Sequence, residues 1–390
     1  MILEKIGYSY NDLTIVPAEI SHIQSRSECN PTYENNKLPI FASCMSTVVN
    51  TENYEVFEKN GITPIIPRNI PLEVRMAIAE LEQWVAMSMS EFNDLFIENH
   101  NDRKKNINYH ICIDIANGHM KSLWGLCLNG KEIAKDYELT IMTGNIANPA
   151  TYKKIVNLTY YNEELKKWLP TIDYIRIGIG GGSQCTTSSN TSIHYPQATL
   201  INECYKIKAE CAKEETRIDM YTSGPKYNGL PKIVADGGIR NYSDIIKALA
   251  LGADYVMVGG LFAAMYESAA PLLLGIYNHA GYLTYEECDY QYTSEEKKRN
   301  DIKNRNLYKE CYGMSTKKAQ ELIDPNSKKK TAEGKHSILK VQNTIQQWTE
   351  NMIDYIKSAM SYCSCKTLDE FIGKVDLIIN SPGEIAAVNK

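Results

Sequence analysis

The chain has 390 residues, 43% of them hydrophobic and 23% charged, with a formal net charge of −5. That length accommodates one large barrel or two medium domains, and the mild acidity leaves no electrostatic footprint for nucleic acid. The opening "MILEKIGYSYND" carries acidic and polar residues where a signal peptide needs an apolar core, which points to a cytoplasmic protein.

In chain order, short β-rich apolar runs alternate with helical patterns. Strand candidates are "LPIFASCM" (38–45), "ITPIIPR" (62–68), "YHICIDIA" (109–116), "LTIMTGN" (139–145), "DYIRIGIG" (173–180), "KIVADGG" (232–238) and "DYVMVGG" (254–260). Amphipathic stretches lie between them: "PLEVRMAIAELEQWV", "ATYKKIVNLTYY" and "YPQATLINECYKIKAECAKEE". Such alternation predicts a parallel sheet with helices outside. Seven strands, with a short eighth candidate near "ECYGMS" (310–315), favour a closed (β/α)₈ TIM barrel over a doubly wound open sheet. No repeat, low-complexity tract or long linker divides the chain, so 1–390 reads as a single domain. The polar, Tyr- and charge-rich stretches 214–230 and 276–308 read as surface insertions, and "NSKKKTAEGKH" (326–336) as an exposed loop.

The most apolar region, "ALALGADYVMVGGLFAAMYESAAPLLLGIY", is broken by Asp254, Glu267 and glycine pairs, and reads as buried strand and helix rather than a membrane span. Eleven cysteines are scattered without a paired framework and read as reduced thiols. Cys363 and Cys365 in "YCSCKT" lack a second Cys/His pair at zinc-like spacing, so the sequence predicts no zinc site.

A barrel keeps its chemistry at the C-terminal ends of its strands. The unit "KIVADGGIRNYSDIIKALALGADYVMVGG" is a compact βαβ in which Asn241 or Ser243 can cap the helix and Gly252 can end it. Both of its strands end in a glycine pair, Gly237–Gly238 and Gly259–Gly260. Adjacent glycines let backbone N–H groups approach an anion closely, so the pair of strand ends reads as a phosphate grip, with Asp236 placed to accept ribose hydroxyls. In "RIGIGGGSQCTTSSNTSIHYP" (176–196) the third position of a dinucleotide fingerprint is Ser183 and no helix opens at once. The loop instead offers a lone Cys185 between glycines and hydroxyls. A thiolate there is a nucleophile for an electrophilic ring carbon, and Thr187 can relay a proton if a carboxylate orients it.

These residues resemble a known family. "GIGGGSQCTT…YPQ", "VADGGI", "YVMVGG", "YGMS", "AEGK" and the N-terminal "YNDLTIVPAEISHIQSRSE…LPIFASCMSTVVN" are similar, in order and spacing, to the inosine monophosphate dehydrogenase/GMP reductase family over roughly positions 5 to 360. The resemblance implies a (β/α)₈ barrel with a mobile cysteine loop and flap. The segment from "PIIPRN" to "ICIDIANG" is too short for the regulatory CBS domain pair that dehydrogenases insert. "CTTxxxTxxxYPQ" and "YGMS" resemble the reductase branch, and between Met314 and Glu333 there is neither the arginine nor the tyrosine with which dehydrogenases activate water. The implied activity is NADPH-dependent reductive deamination of GMP to IMP and ammonia, by a homotetramer.

The same resemblance assigns residues. Cys185, Thr187 and Glu333 would be catalytic. Ser183, Gly237, Gly238, Gly259 and Gly260 would hold the phosphate and Asp236 the ribose, with Ser43, Met45, Gly313, Met314, Ser315, Lys330 and Gly334 around the purine. Cofactor positions are Ser25, Arg26, Arg68, Asp114, Ile115, Ala116, Ile179 and Gly180, and the carbonyls of Gly180, Gly182 and Cys185 match a monovalent-cation (K+) site. The chain departs from the family pattern at Ser46, Pro67, Ser188 and Lys330 and in "AAMYESAAP". These departures leave a reductase for a deoxy or modified purine nucleotide as an alternative. The others are a dehydrogenase without regulatory domains, against which the flap tells, and a catalytically idle nucleotide-binding barrel, against which the intact Cys185, Thr187 and Glu333 tell.

Overall fold

The computed structural model describes residues 5–182, 185–215, 229–288, 294–323 and 334–388. Among them, eight strands run parallel: β1 (Ile40–Ala42), β2 (Thr63–Pro64), β3 (Val85–Met87), β4 (Asn108–Asp114), β5 (Glu138–Ile146), β6 (Tyr174–Ile177), β7 (Lys232–Asp236) and β8 (Tyr255–Val258). Each strand hydrogen-bonds to its sequence neighbour, and β8 returns to β1 through Val256 opposite Ile40. The join between β2 and β3 is a parallel bridge, Ile66 with Val85, in which Ile66 N donates to Trp84 O and Ala86 N donates to Ile66 O. The sheet is therefore a closed barrel, with helices such as Leu72–Ala79, Lys121–Ile133, Gln197–Glu215, Tyr242–Ala250 and Ile345–Tyr362 outside it.

The strands are apolar on both faces, as parallel strands between a packed interior and a helical coat must be. Phe41, Ala86, Cys112, Met142, Val234 and Met257 form the inner cluster, while their chain neighbours Ile40, Val85, Ile111, Ile141, Ile233 and Val256 pack outward. Trp84, Tyr174 and Tyr255 add an aromatic plug around Phe41.

The expected eighth strand is corrected. The residues near 310–315 do contribute a strand, Leu307–Tyr312, but it belongs to a separate antiparallel sheet with Leu272–Tyr277, Leu283–Glu287 and His336–Lys340. The eighth barrel strand is β3, which starts at the last residue of a stretch expected to be helical: the helix stops at Ala79, and the chain re-emerges as the three residues Val85–Met87. The 276–308 stretch supplies part of that antiparallel sheet and the helix Glu295–Asn304. Most of 214–230 and of 326–336 lies outside the described residues. Asn241 caps its helix by accepting from Asp244 N at 2.9 Å. No described helix is long and apolar enough to cross a membrane.

Candidate active site

The C-terminal ends of the barrel strands enclose a cavity of about 530 Å³. It is lined by Ser43 and Met45 after β1, Arg68 after β2, Asp114, Ile115 and Ala116 at the end of β4, and Asn145 in β5. Gly178 to Gly182, Cys185 and Thr187 follow β6; Asp236, Gly237 and Gly238 end β7; Gly259 and Gly260 follow β8. Gly313, Met314 and Ser315 add to the lining, immediately after the strand Leu307–Tyr312, as do Arg176, Ile239 and Met257.

Cys185 is partly exposed, and its Sγ lies 3.3 Å from Oγ1 of Thr187. Its backbone N donates to Gly182 O at 3.0 Å, and it forms an antiparallel bridge with Gly334. The backbone at Cys185 is thus held by the glycine loop on one side and by Gly334 on the other. Other cysteines differ in setting: Cys44 and Cys112 sit buried inside the barrel, and a hydrogen bond to Cys112, then burial, pushes the Cys44 thiol well above its ordinary range.

Gly178 explains why the loop begins with glycine. Its φ is +126°, and a Cβ there would stand 2.2 Å from Asp236 O and 2.5 Å from Gln197 Oε1. Only a residue without a side chain lets the loop pass between β7 and the following helix. Gln197 Nε2 donates to Ile177 O, and Ser188 Oγ donates to Gly180 O, fixing the loop at two points.

Two lining residues that sequence reasoning missed, Arg176 and Asn145, organise the floor. Arg176 Nη1 donates to Asp114 Oδ1 at 2.6 Å, while its Nε and Nη2 donate to Asp236 Oδ2 at 3.0 and 2.9 Å. Asn145 Nδ2 donates to the same Asp236 oxygen at 2.7 Å and to Gly178 O at 2.8 Å. Burial works against the Arg176 charge, but Asp236 and then Asp114 outweigh it and hold the guanidinium protonated. The signal was legible in "YIRIGIG": every second residue there packs outward, so Arg176 had to face the barrel interior and find an anionic partner.

Ser25 and Arg26 are not among the lining residues. Ser25 caps the short 3-10 turn Arg26–Glu28, and Arg26 pairs with exposed Asp354 at 3.3 Å. Gly334 meets Cys185 without lining the cavity. Ser183, Lys330 and Glu333 lie outside the described residues.

A second ligand beside the thiol has a receptive wall. Arg68 lines the cavity, its buried Nε has no hydrogen-bond partner, and its Nη1 reaches Asp114 O only at 3.4 Å. An orphaned buried donor of this kind fits a ligand that brings an acceptor. Of the carbonyls expected at a monovalent-cation site, those of Gly180 and Gly182 accept hydrogen bonds from Ser188 Oγ and Cys185 N, and each keeps a second lone pair. Among the described residues, no group of three His, Cys, Asp or Glu stands ready to hold a metal ion.

A family model described as "IMP dehydrogenase / GMP reductase domain" matches residues 7–386. A GMP reductase of Staphylococcus saprophyticus is 26% identical over 95% of this chain and 95% of its own length. GMP reductase 2 of Bos taurus is 27% identical over 92% of this chain and 89% of its own. An inosine-5′-monophosphate dehydrogenase of Chlorobaculum parvum is 28% identical, over 67% of this chain and 43% of its own length.

Proposed function

This chain belongs to the IMP dehydrogenase/GMP reductase family, and from that premise we propose that it is an oxidoreductase of purine nucleoside monophosphates, a reductase converting GMP to IMP and ammonia at the expense of NADPH. The observation that carries the reading is the Cys185–Thr187 pair, 3.3 Å apart in a cavity whose glycine-rich strand ends suit a phosphate. Near end-to-end similarity to GMP reductases, against partial coverage of the dehydrogenase, supports the reductase branch. So does the flap sequence, which lacks the arginine and tyrosine that hydrolysis would need.

In this reading Gly237, Gly238, Gly259, Gly260 and Ser183 grip the phosphate, and Asp236 accepts the ribose hydroxyls. Ser43, Met45, Gly313, Met314, Ser315, Lys330 and Gly334 surround the purine. Cys185 attacks C2 as the thiolate, forming the C2–S bond. Thr187, oriented by Glu333, gives a proton to the departing 2-amino group, and the C–N bond breaks to release ammonia. Arg68, Asp114, Ile115, Ala116, Ile179 and Gly180 would hold the nicotinamide cofactor beside the thioimidate. When bound, that cofactor supplies the hydride taken up at C2, and the C2–S electron pair returns to Cys185. No step needs a cation at Gly180, Gly182 and Cys185. The proposal takes the chain as one barrel domain, acting in the cytoplasm as a homotetramer.

The test is absorbance of the reduced cofactor. Incubation with GMP and NADPH, and separately NADH, should oxidise the cofactor and yield ammonia and IMP in equal amounts. Reduction of NAD with IMP alone would make the protein a dehydrogenase. Silence in both assays, with nucleotide bound, would make it a binding barrel.

A further inference from the structure

We infer that Arg176 is a positioning residue that couples the two halves of the cavity, setting with one guanidinium both the carboxylate offered to the nucleotide and the carboxylate on the cofactor side. The inference rests on the purine-nucleotide reading above.

The barrel register makes the coupling geometric. Asp114 in β4 is the partner of Gly144 in β5, and Gly144 is the partner of Arg176 in β6. The strand between the two charged residues therefore carries glycine at the crossing point. A Cβ at Gly144 would stand 2.6 Å from the Cβ of Arg176 and 2.4 Å from its carbonyl oxygen, in the way of the approach. With that space clear, the arginine spans from β4 to β7.

The hydrogen bonds are divided in an uneven way. Asp236 Oδ2 accepts three donors, two from Arg176 and one from Asn145, while no hydrogen bond from the described residues reaches Asp236 Oδ1. Asp114 likewise gives only Oδ1 to Arg176. Each carboxylate is anchored by one oxygen and keeps the other for a ligand. Because the side chains of Arg176, Asp114 and Asp236 are only 8, 16 and 17% exposed, water competes weakly for these bonds. Charge-assisted, forked contacts of this kind fix orientation as well as charge.

The arrangement predicts the effect of cutting it on one side. If Asp114 loses its charge, the hold on Nη1 weakens to that of a neutral acceptor, and the guanidinium can turn to grip Asp236 through both oxygens. That would cover the oxygen the nucleotide uses, so a change on the cofactor side weakens the nucleotide. A lysine at 176 cannot make the forked grip, and in that background the same change should do nothing to the nucleotide.

The experiment is a double-variant cycle on the full chain: calorimetric titration of GMP, without cofactor, into the parent, Asp114→Asn, Arg176→Lys and the double variant, with thermal melting of each. Arg176→Lys is expected to raise the GMP Kd about 10–100-fold. Asp114→Asn is expected to raise it about 10-fold in the parent and less than about 2-fold in the Arg176→Lys background. An unchanged GMP Kd in Asp114→Asn, or equal losses in both backgrounds, overturns the coupling; the first of these outcomes decides the matter even if Arg176→Lys does not fold. A parent that binds GMP but oxidises no reduced nicotinamide sinks the proposed activity instead, and the cycle of Kd values still stands.

Discussion

The Sγ of Cys185 and the Oγ1 of Thr187 lie 3.3 Å apart on a single turn, facing the cavity that the strand ends enclose. The proposed nucleophile and proton donor are therefore placed by one short loop, and each can be removed without touching the residues proposed to hold phosphate and ribose. Cys185→Ala should abolish turnover and leave the GMP Kd within about 3-fold of the parent's, a margin below one ordinary hydrogen bond. Calorimetry and the absorbance assay separate the two effects. Substantial residual turnover would remove covalent catalysis from the mechanism.

Thr187 and Glu333 are proposed to act as one proton-delivering unit. Thr187→Val and Glu333→Gln should each slow ammonia release by about 10²–10⁴-fold, and the double variant should be little worse than either single one. The reverse half-reaction, reduction of oxidised cofactor by IMP on Cys185, releases no ammonia and should suffer less. Equal damage to both half-reactions would show that the pair only shapes the pocket.

Gly178→Ala should destabilise the protein and abolish nucleotide binding together. Its positive φ strains any other residue by roughly 1–3 kcal/mol, and the added methyl would press on the carbonyl of Asp236. A urea titration is expected to show a lower midpoint, and calorimetry no GMP heat. A variant with the parent's midpoint and affinity would refute this account of the loop.

His110 predicts an acid-sensitive fold. Burial next to Trp84, with Nδ1 unpartnered, lowers its pKa to about 4 from an ordinary 6.5. The unfolded chain therefore takes up this proton first as pH falls. The stability present above about 6.5 is lost progressively down to about 4, on the order of 3 kcal/mol for this one group. In His110→Phe that loss should be missing, seen as a flatter dependence of the urea midpoint between pH 7 and 4. Parallel curves for the two proteins would rule His110 out as the cause.

The barrel was legible because its strands obey a simple rule: short, continuous apolar runs, the later ones ending in glycine, each followed by a helix. What escaped was pairing. "ECYGMS" does contain strand residues, yet nothing in their local pattern says that they join Leu272–Tyr277 and His336–Lys340 and stay out of the barrel. Val85–Met87 escaped for the opposite reason, because three residues after an amphipathic helix are too few to show a period. In the site, glycines and Cys185 stood out because a loop has no core to explain them. Arg176 and Asn145 were passed over as parts of strands, since their importance comes from what lies across the sheet at Asp114 and Asp236.

Tyr312 and His336 are cross-strand partners at the end of the antiparallel sheet, so residues 313–335 leave and rejoin the fold at adjacent points. A segment mounted in this way is a cassette. Its termini are held by adjacent strands of one sheet, and doubling the length of such a loop costs only about 0.6 kcal/mol in closure entropy. Lineages could therefore rewrite a stretch that begins in the cavity wall at Gly313 and ends against Cys185 at Gly334, while the barrel beneath folds as before.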